Sequence, residues 1–128
     1  MRMTELSQER PDLWTGHVVL YSRDPVGCGL FYERLGMRAI ASTEAFAVLE
    51  LRGGTHLVIR HDPGAQGGPA PFDLMVEDLD ETWEKWRAGG ITVSGVGQDE
   101  RGIHRVFTVT DPDQNTLVVN DSHVVGVV

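Results

Sequence analysis

The chain has 128 residues, a net charge of −8, 41% hydrophobic and 23% charged residues; this suits one domain with a packed core and excludes nucleic acid, whose phosphates need a surplus of Lys and Arg. A single cysteine, Cys28, excludes an internal disulfide and a cysteine metal cluster. No apolar run reaches the ~20 residues that cross a bilayer, and residues 1–11 carry no signal-type run, so the expectation is a cytoplasmic protein with no membrane partner.

In chain order, residues 1–14 read as a polar N-terminal arm, 15–124 as a single domain and 125–128 as a C-terminal tail. Residues 16–22 predict a strand from their β-branched and aromatic run. Asp24-Pro25 supplies a helix cap and a proline suited to the first helical position. The helix carries Leu30, Phe31, Tyr32 and Leu35 and stops at Gly36, although Gly27 and Gly29 each cost up to ~1 kcal/mol relative to alanine. Cys28 reads as a small buried residue on it. Three strands follow at residues 38–42, 46–51 and 55–60, the last two joined by Arg52-Gly53-Gly54.

A Gly- and Pro-rich linker, 63–69, separates this first module (15–62) from a second (70–124). The second opens with Phe72-Asp73-Leu74-Met75-Val76, and Asp78 with Glu81 starts a stronger helix in the manner of a capping box. Leu79, Trp83 and Trp86 recur at helical spacing and predict a core-facing stripe. Gly89-Gly90 ends the helix, and strands at 91–93, 105–110 and 116–120 complete the unit, with Asp111-Pro112-Asp113-Gln114-Asn115 as the turn before the last. That turn and the helix cap account for Glu77, Asp78, Asp111 and Asp113. His56, His61, His104 and His123 read mostly as surface or turn residues, and their spacing fits no zinc signature.

The two modules nearly repeat one another. His17 to Leu20, Asp24 and Gly36 recur 54 residues later as Pro71 to Leu74, Asp78 and Gly90, whereas Leu57-Val58-Ile59 recurs 60 residues later as Leu117-Val118-Val119. The extra six residues read as an insertion in the second copy between its helix and last strand. Units of roughly 55 residues bury too little surface to stand alone, so the copies must share a core, and the surface between them is the natural place for a ligand.

Five motifs sit in order on this frame: Gly16-His17-Val18-Val19-Leu20, Leu30-Phe31-Tyr32-Glu33-Arg34-Leu35-Gly36, Val76-Glu77-Asp78-Leu79-Asp80, Arg87-Ala88-Gly89-Gly90-Ile91, and Asp111-Pro112-Asp113-Gln114-Asn115. Together they resemble the vicinal oxygen chelate superfamily, which contains glyoxalase I, bleomycin-resistance proteins and extradiol dioxygenases. The resemblance implies an α+β fold of two βαβββ modules, whose mixed sheets curl around a ligand cavity with helices on the convex side. It also implies up to four metal ligands, one from the opening and one from the closing strand of each module. Those positions here are His17, Val58, Pro71 and Val118, and only His17 can bind a metal. A lone imidazole does not hold zinc, iron or manganese, so metal chemistry loses its basis at these positions.

An improvised set of His17, Asp73 and His56 requires a ligand shift of roughly 6.5 Å along a strand, tolerable only if the sheet is bulged. Without a metal, Asp73 and His17 are the candidate proton-transfer residues, Asp73 as a base raised by apolar neighbours or else paired with Arg60 or Arg105. Val19, Tyr21, Val58, Pro71, Met75 and Val118 form a candidate apolar wall, and His56, Arg60 and Asn120 candidate polar anchors, Arg60 favouring an anion. The expectation is a homodimer that binds an apolar or aromatic small molecule without a cofactor. The alternatives are an enzyme of the same superfamily, either a metal-dependent lyase, isomerase or dioxygenase with displaced ligands and a divalent ion or a metal-free proton-transfer catalyst, and a regulatory domain without a ligand.

Overall fold

The β-branched and aromatic run at residues 17–22 forms, in the computed structural model, strand β1 (His17–Ser22), with Leu20 and Ser22 buried and His17 and Tyr21 exposed. The structure describes residues 8–124 and 127–128; residues 1–7 of the expected arm and 125–126 of the expected tail lie outside the described residues. β1 pairs in parallel with β4 (His56–His61), which runs antiparallel to β3 (Phe46–Glu50), itself antiparallel to β2 (Arg38–Ser42). Helix α1 (Pro25–Leu35) lies against this sheet.

The second module repeats the plan with a broken opening strand. β9 (Asn115–Asp121) pairs antiparallel with β8 (Arg105–Thr110), and β8 with β7 (Gly97–Gln98). On its other side β9 takes two parallel pieces, β5 (Gly68–Pro69) and β6 (Leu74–Val76), between which the register slips by two residues. Proline at 71 has no N–H for a ladder, which suits this break. Helix α2 (Leu79–Ala88) completes an α+β fold of two βαβββ-like modules.

The duplication is visible bond by bond. Asp24 accepts from the amide of Gly27, and Asp78 from that of Glu81. At the helix ends Gly36 N–H donates to Glu33 and Met37 to Tyr32, just as Gly90 donates to Arg87 and Ile91 to Trp86. The hairpin turns match with an offset of 60, Leu51 to Thr55 and Gly54 to Leu51 recurring as Asp111 to Asn115 and Gln114 to Asp111. Leu20 pairs with Ile59, and its counterpart Leu74 with Val119.

Both helical glycines of α1 have reasons. A Cβ at Gly27 would meet the Asp24 carboxylate at 2.4 Å, and one at Gly29 would meet Ala47 Cβ at 3.2 Å, so they admit the cap and a close approach to β3. The helix buries Cys28 and Tyr32, as a residue of each kind demands, but Leu30 faces solvent at 59% exposure rather than the core. Leu20, Tyr32, Leu49, Leu57 and Ile59 join Trp86, Phe107, Val109, Leu117 and Val119 in one cluster, so the modules do share a core.

One expectation for the second module needs correction. Residues 91–93 do not form a strand; Val93 makes a single bridge to Val109, flanked by backbone bonds from Ser94 to Thr108 and from Thr110 to Thr92, and on its far side the ladder stops where the Thr108 amide turns to Ser94 Oγ at 2.8 Å. The expected stripe of α2 does face the core, with Leu79 and Trp86 in it and Trp83 packed against it. Trp86 is buried edge-on to Phe107 at 5.7 Å, whereas half-buried Trp83 donates its indole N–H to the Ser94 carbonyl and carries the Arg87 guanidinium on its ring.

Candidate functional site

Strand alternation sets two faces on each sheet. In the first sheet the buried residues turn toward α1, and the opposite face is built of three cross-strand rows. Tyr21, Arg60 and Phe46 form one; Val19, Val58 and Val48 the next; His17, His56 and Glu50, with Arg38 beyond, the third. Successive rows stand roughly 6.5 Å apart, so the face grades from a cation between two aromatic rings, through valine, to a polar chain.

The polar chain is tied together from one end. Arg38 donates to Glu50, whose other oxygen lies 3.1 Å from His56 Nε2, and the His56 ring stands 5.9 Å from that of His17. His56 is therefore half-buried and partnered rather than a surface residue. Glu50 escaped sequence reading; its place opposite His56 follows from β3–β4 register, which a sequence does not state.

On the second sheet the corresponding face carries Met75, Asn120 and Val106 in one row and Val118 beside Thr108 in the next. Asn120 is 5% exposed and donates its amide to Asp73 at 3.0 Å and to the Leu74 carbonyl at 3.1 Å. The expected partners of Asp73 are not used. Arg105 instead makes two hydrogen bonds to Asp80, and Asp73 is exposed, without the apolar enclosure assumed for a raised base. No hydrogen bond or ion pair joins Asp73 to His17 among the described residues.

A cavity of about 380 Å³ lies where the modules meet, lined by Val19 and Tyr21 of β1, Asp62 and Ala65 of the linker region, and Pro69 and Pro71 of the broken strand. It thus unites three of the expected site residues, while His17, His56, Val58, Arg60, Asp73, Met75, Val118 and Asn120 lie outside it. A second hollow of about 420 Å³, around Arg23, Glu44 and His61 at the start of α1, contains none of them.

The seam beneath the cavity is held by polar groups that turn chemistry alone does not explain. Asp111 Oδ2 accepts from Tyr32 Oη and Asn115 Nδ2, both at 2.8 Å, and Oδ1 from the amides of Asp113 and Asn115. Asp113 accepts from Ser22 Oγ and from the Arg23 amide. These aspartates are 2% and 4% exposed, so they are inter-module ties as well as turn residues. Burial, reinforced by the Asp111 charge, pushes the Tyr32 hydroxyl and the Cys28 thiol far above their ordinary ranges. A tyrosine on the buried stripe of α1 was the available signal, since its hydroxyl requires a partner.

The family's metal does not fit the side chains at its four positions. Valine and proline at 58, 118 and 71 offer no donor atom, and among the described residues no group of three or more His, Cys, Asp or Glu side chains is placed to hold a metal ion. No helix among the described residues is long and apolar enough to cross a membrane.

A search of curated proteins finds no match. Among solved structures, a bleomycin resistance determinant encoded on the transposon Tn5 is 22% identical, with 88% of this chain and 100% of that one covered at a TM-score of 0.70. A bleomycin-binding protein complexed with bleomycin is 22% identical over 88% and 100% of the two chains at 0.67. Lactoylglutathione lyase from Agrobacterium tumefaciens is 16% identical over 89% and 96% at 0.70. These likenesses show the fold. The family model for the glyoxalase/bleomycin resistance protein/dioxygenase superfamily matches residues 14–119, and the chain belongs to that superfamily.

Proposed function

We propose that this chain binds an apolar or aromatic small molecule on the sheet face away from its helices and does so without a metal. The observation that carries this reading is the row Val19, Val58 and Val48, which places aliphatic side chains at and beside a position the family uses for a ligand to metal. The cavity at Val19, Tyr21 and Pro71 continues that apolar wall, and sequestration needs only such a shaped surface with a few polar anchors. A bleomycin-binding relative of the same fold is complexed with its small molecule, which supports the reading by analogy of fold alone.

Metal content after growth in medium supplemented with zinc, iron and manganese tests it. The expected result is far less than one ion per chain; one ion per chain, lost in His17→Ala, overturns it. We further propose a homodimer, because the sheet edge at β2 is open and its Ile40 is 52% exposed. Sedimentation at micromolar concentration should give twice the 14.1 kDa chain mass, and a monomer refutes the dimer. A cytoplasmic setting belongs to the same reading, supported by a lone buried thiol.

A further inference from the structure

Of the three arginines in the sheets, two hold carboxylates: Arg38 pairs with Glu50 and Arg105 with Asp80. The third, Arg60, is exposed, and no hydrogen bond, ion pair or ring contact among the described residues engages its guanidinium. Its cross-strand neighbours on the same face are Tyr21 and Phe46, 51% and 40% exposed, with Cβ atoms roughly 5 Å away. The carboxylates on this face and at its border are already committed, Glu50 to Arg38 and His56, Asp73 to Asn120, and Asp62 to the Gly64 amide. An unengaged cation between two exposed aromatic residues is thus left open beside an apolar row and the seam cavity.

From this we infer that the ligand is a compact aromatic carboxylate, its anionic group on Arg60 and its ring system over Val58 and Val19. The inference rests on the proposed binding function and names the class of molecule bound. Guanidinium presents a planar fork that matches a carboxylate, and it can stack with rings at the same time. Size follows from the rows. The valines lie roughly 6.5 Å from Arg60, and the His17–His56–Glu50 row begins roughly 6.5 Å farther on, so two or three fused rings fill the apolar span and a long chain runs into polar groups. The net charge of −8 supplies no long-range attraction for an anion, which makes the local arginine the source of selectivity.

Titration calorimetry with 2-naphthoate and anthracene-9-carboxylate, each against its neutral amide, tests the inference. The carboxylates should bind about tenfold tighter than the amides, which is the usual scale of one charge-assisted contact. Arg60→Gln should bring the acid-to-amide affinity ratio down to about one, and Tyr21→Ala should weaken acid and amide alike while keeping their ratio. Circular dichroism of both variants should match the parent. Equal binding of acid and amide, or a preference that survives Arg60→Gln, overturns the carboxylate inference and leaves the binding function standing. Absence of binding by all four probes overturns the inferred ligand class, while the metal content of the protein tests the binding function separately.

Discussion

Tyr32 donates its hydroxyl to Asp111 at 2.8 Å, joining the first helix to the last hairpin turn across 79 residues of sequence. The bond crosses from one module to the other, and both partners are essentially inaccessible to water. A buried carboxylate is tolerated only when its oxygens are satisfied, and five donors around Asp111, the Cys28 thiol at 3.7 Å the most distant, meet that condition. Tyr32→Phe removes one and should cost about 1–2 kcal/mol. Asp111→Ala removes the acceptor of all five, of which the Asn115 side chain has another in the Tyr21 carbonyl, and should cost about 3 kcal/mol or more. Urea unfolding of the two variants measures both; an Asp111→Ala protein as stable as the parent would remove the tie as a stabilising element.

Alkali should expose the same knot. Burial, and next the Asp111 charge, raise the Tyr32 hydroxyl and the Cys28 thiol. In the unfolded chain these groups ionise near roughly pH 10 and 8.5. The folded state therefore retains protons that the unfolded state has released, and stability falls as pH rises above about 8.5, having been fully present below it. Urea midpoints at several pH values between neutrality and alkali should show that decline, and Tyr32→Phe should flatten its upper part. Cys28 should also resist a disulfide exchange reagent at pH 8 until the chain unfolds, since only the exposed thiolate reacts.

Strands, caps and helix ends were legible because they depend on local chemistry: Asp24 and Asp78 cap, Gly36 and Gly90 stop, and their bonds recur with the spacing that the sequence repeats. The strand expected at 91–93 is reduced to one bridge at Val93, and beyond it the hydroxyl of Ser94 replaces a ladder acceptor, a substitution no periodicity carries. Parity along β1 and β4 already placed Val19, Tyr21, Val58 and Arg60 on one face. What remained hidden was register between strands distant in sequence, which sets Glu50 against His56 and Phe46 against Arg60. Asp113 was hidden similarly, because its partner Ser22 lies 91 residues away.

The pair of Asp80 and Arg105 gives a solution check on the second module. Two hydrogen bonds from Arg105, with its charge adding to them, hold the Asp80 carboxyl below the usual carboxylate range. Stability from this pair is therefore present at neutral pH and is lost as pH falls through the lowered value, though full exposure and salt screening keep it small. Carboxyl carbon shifts followed by NMR should place Asp80 below an ordinary aspartate, and Arg105→Gln should move its midpoint upward. An unmoved midpoint means that the pair does not persist in solution.

Gln114 occupies a left-handed conformation, φ 68°, where its counterpart in the first module is Gly54 at φ 88°. A side chain there is strained, whereas glycine adopts the angle freely. Gln114→Gly should therefore stabilise the protein by about 0.5–1 kcal/mol, the strain relief exceeding glycine's added freedom in the unfolded chain. Gly67 lies over the same turn and carries the opposite expectation. A Cβ at this position, φ 77°, would meet the Asp113 carbonyl oxygen at 2.4 Å and the Gln114 carbonyl carbon at 2.5 Å, and backbone cannot swing aside. Gly67→Ala should cost about 2 kcal/mol or more. Because Gly67 also lines the seam cavity, its displacement should weaken binding of neutral naphthamide at that wall, whereas Gln114→Gly should leave it unchanged. Thermal unfolding and calorimetry on the two variants separate these effects; a Gly67→Ala protein with parental stability would mean that the linker is not seated on the turn.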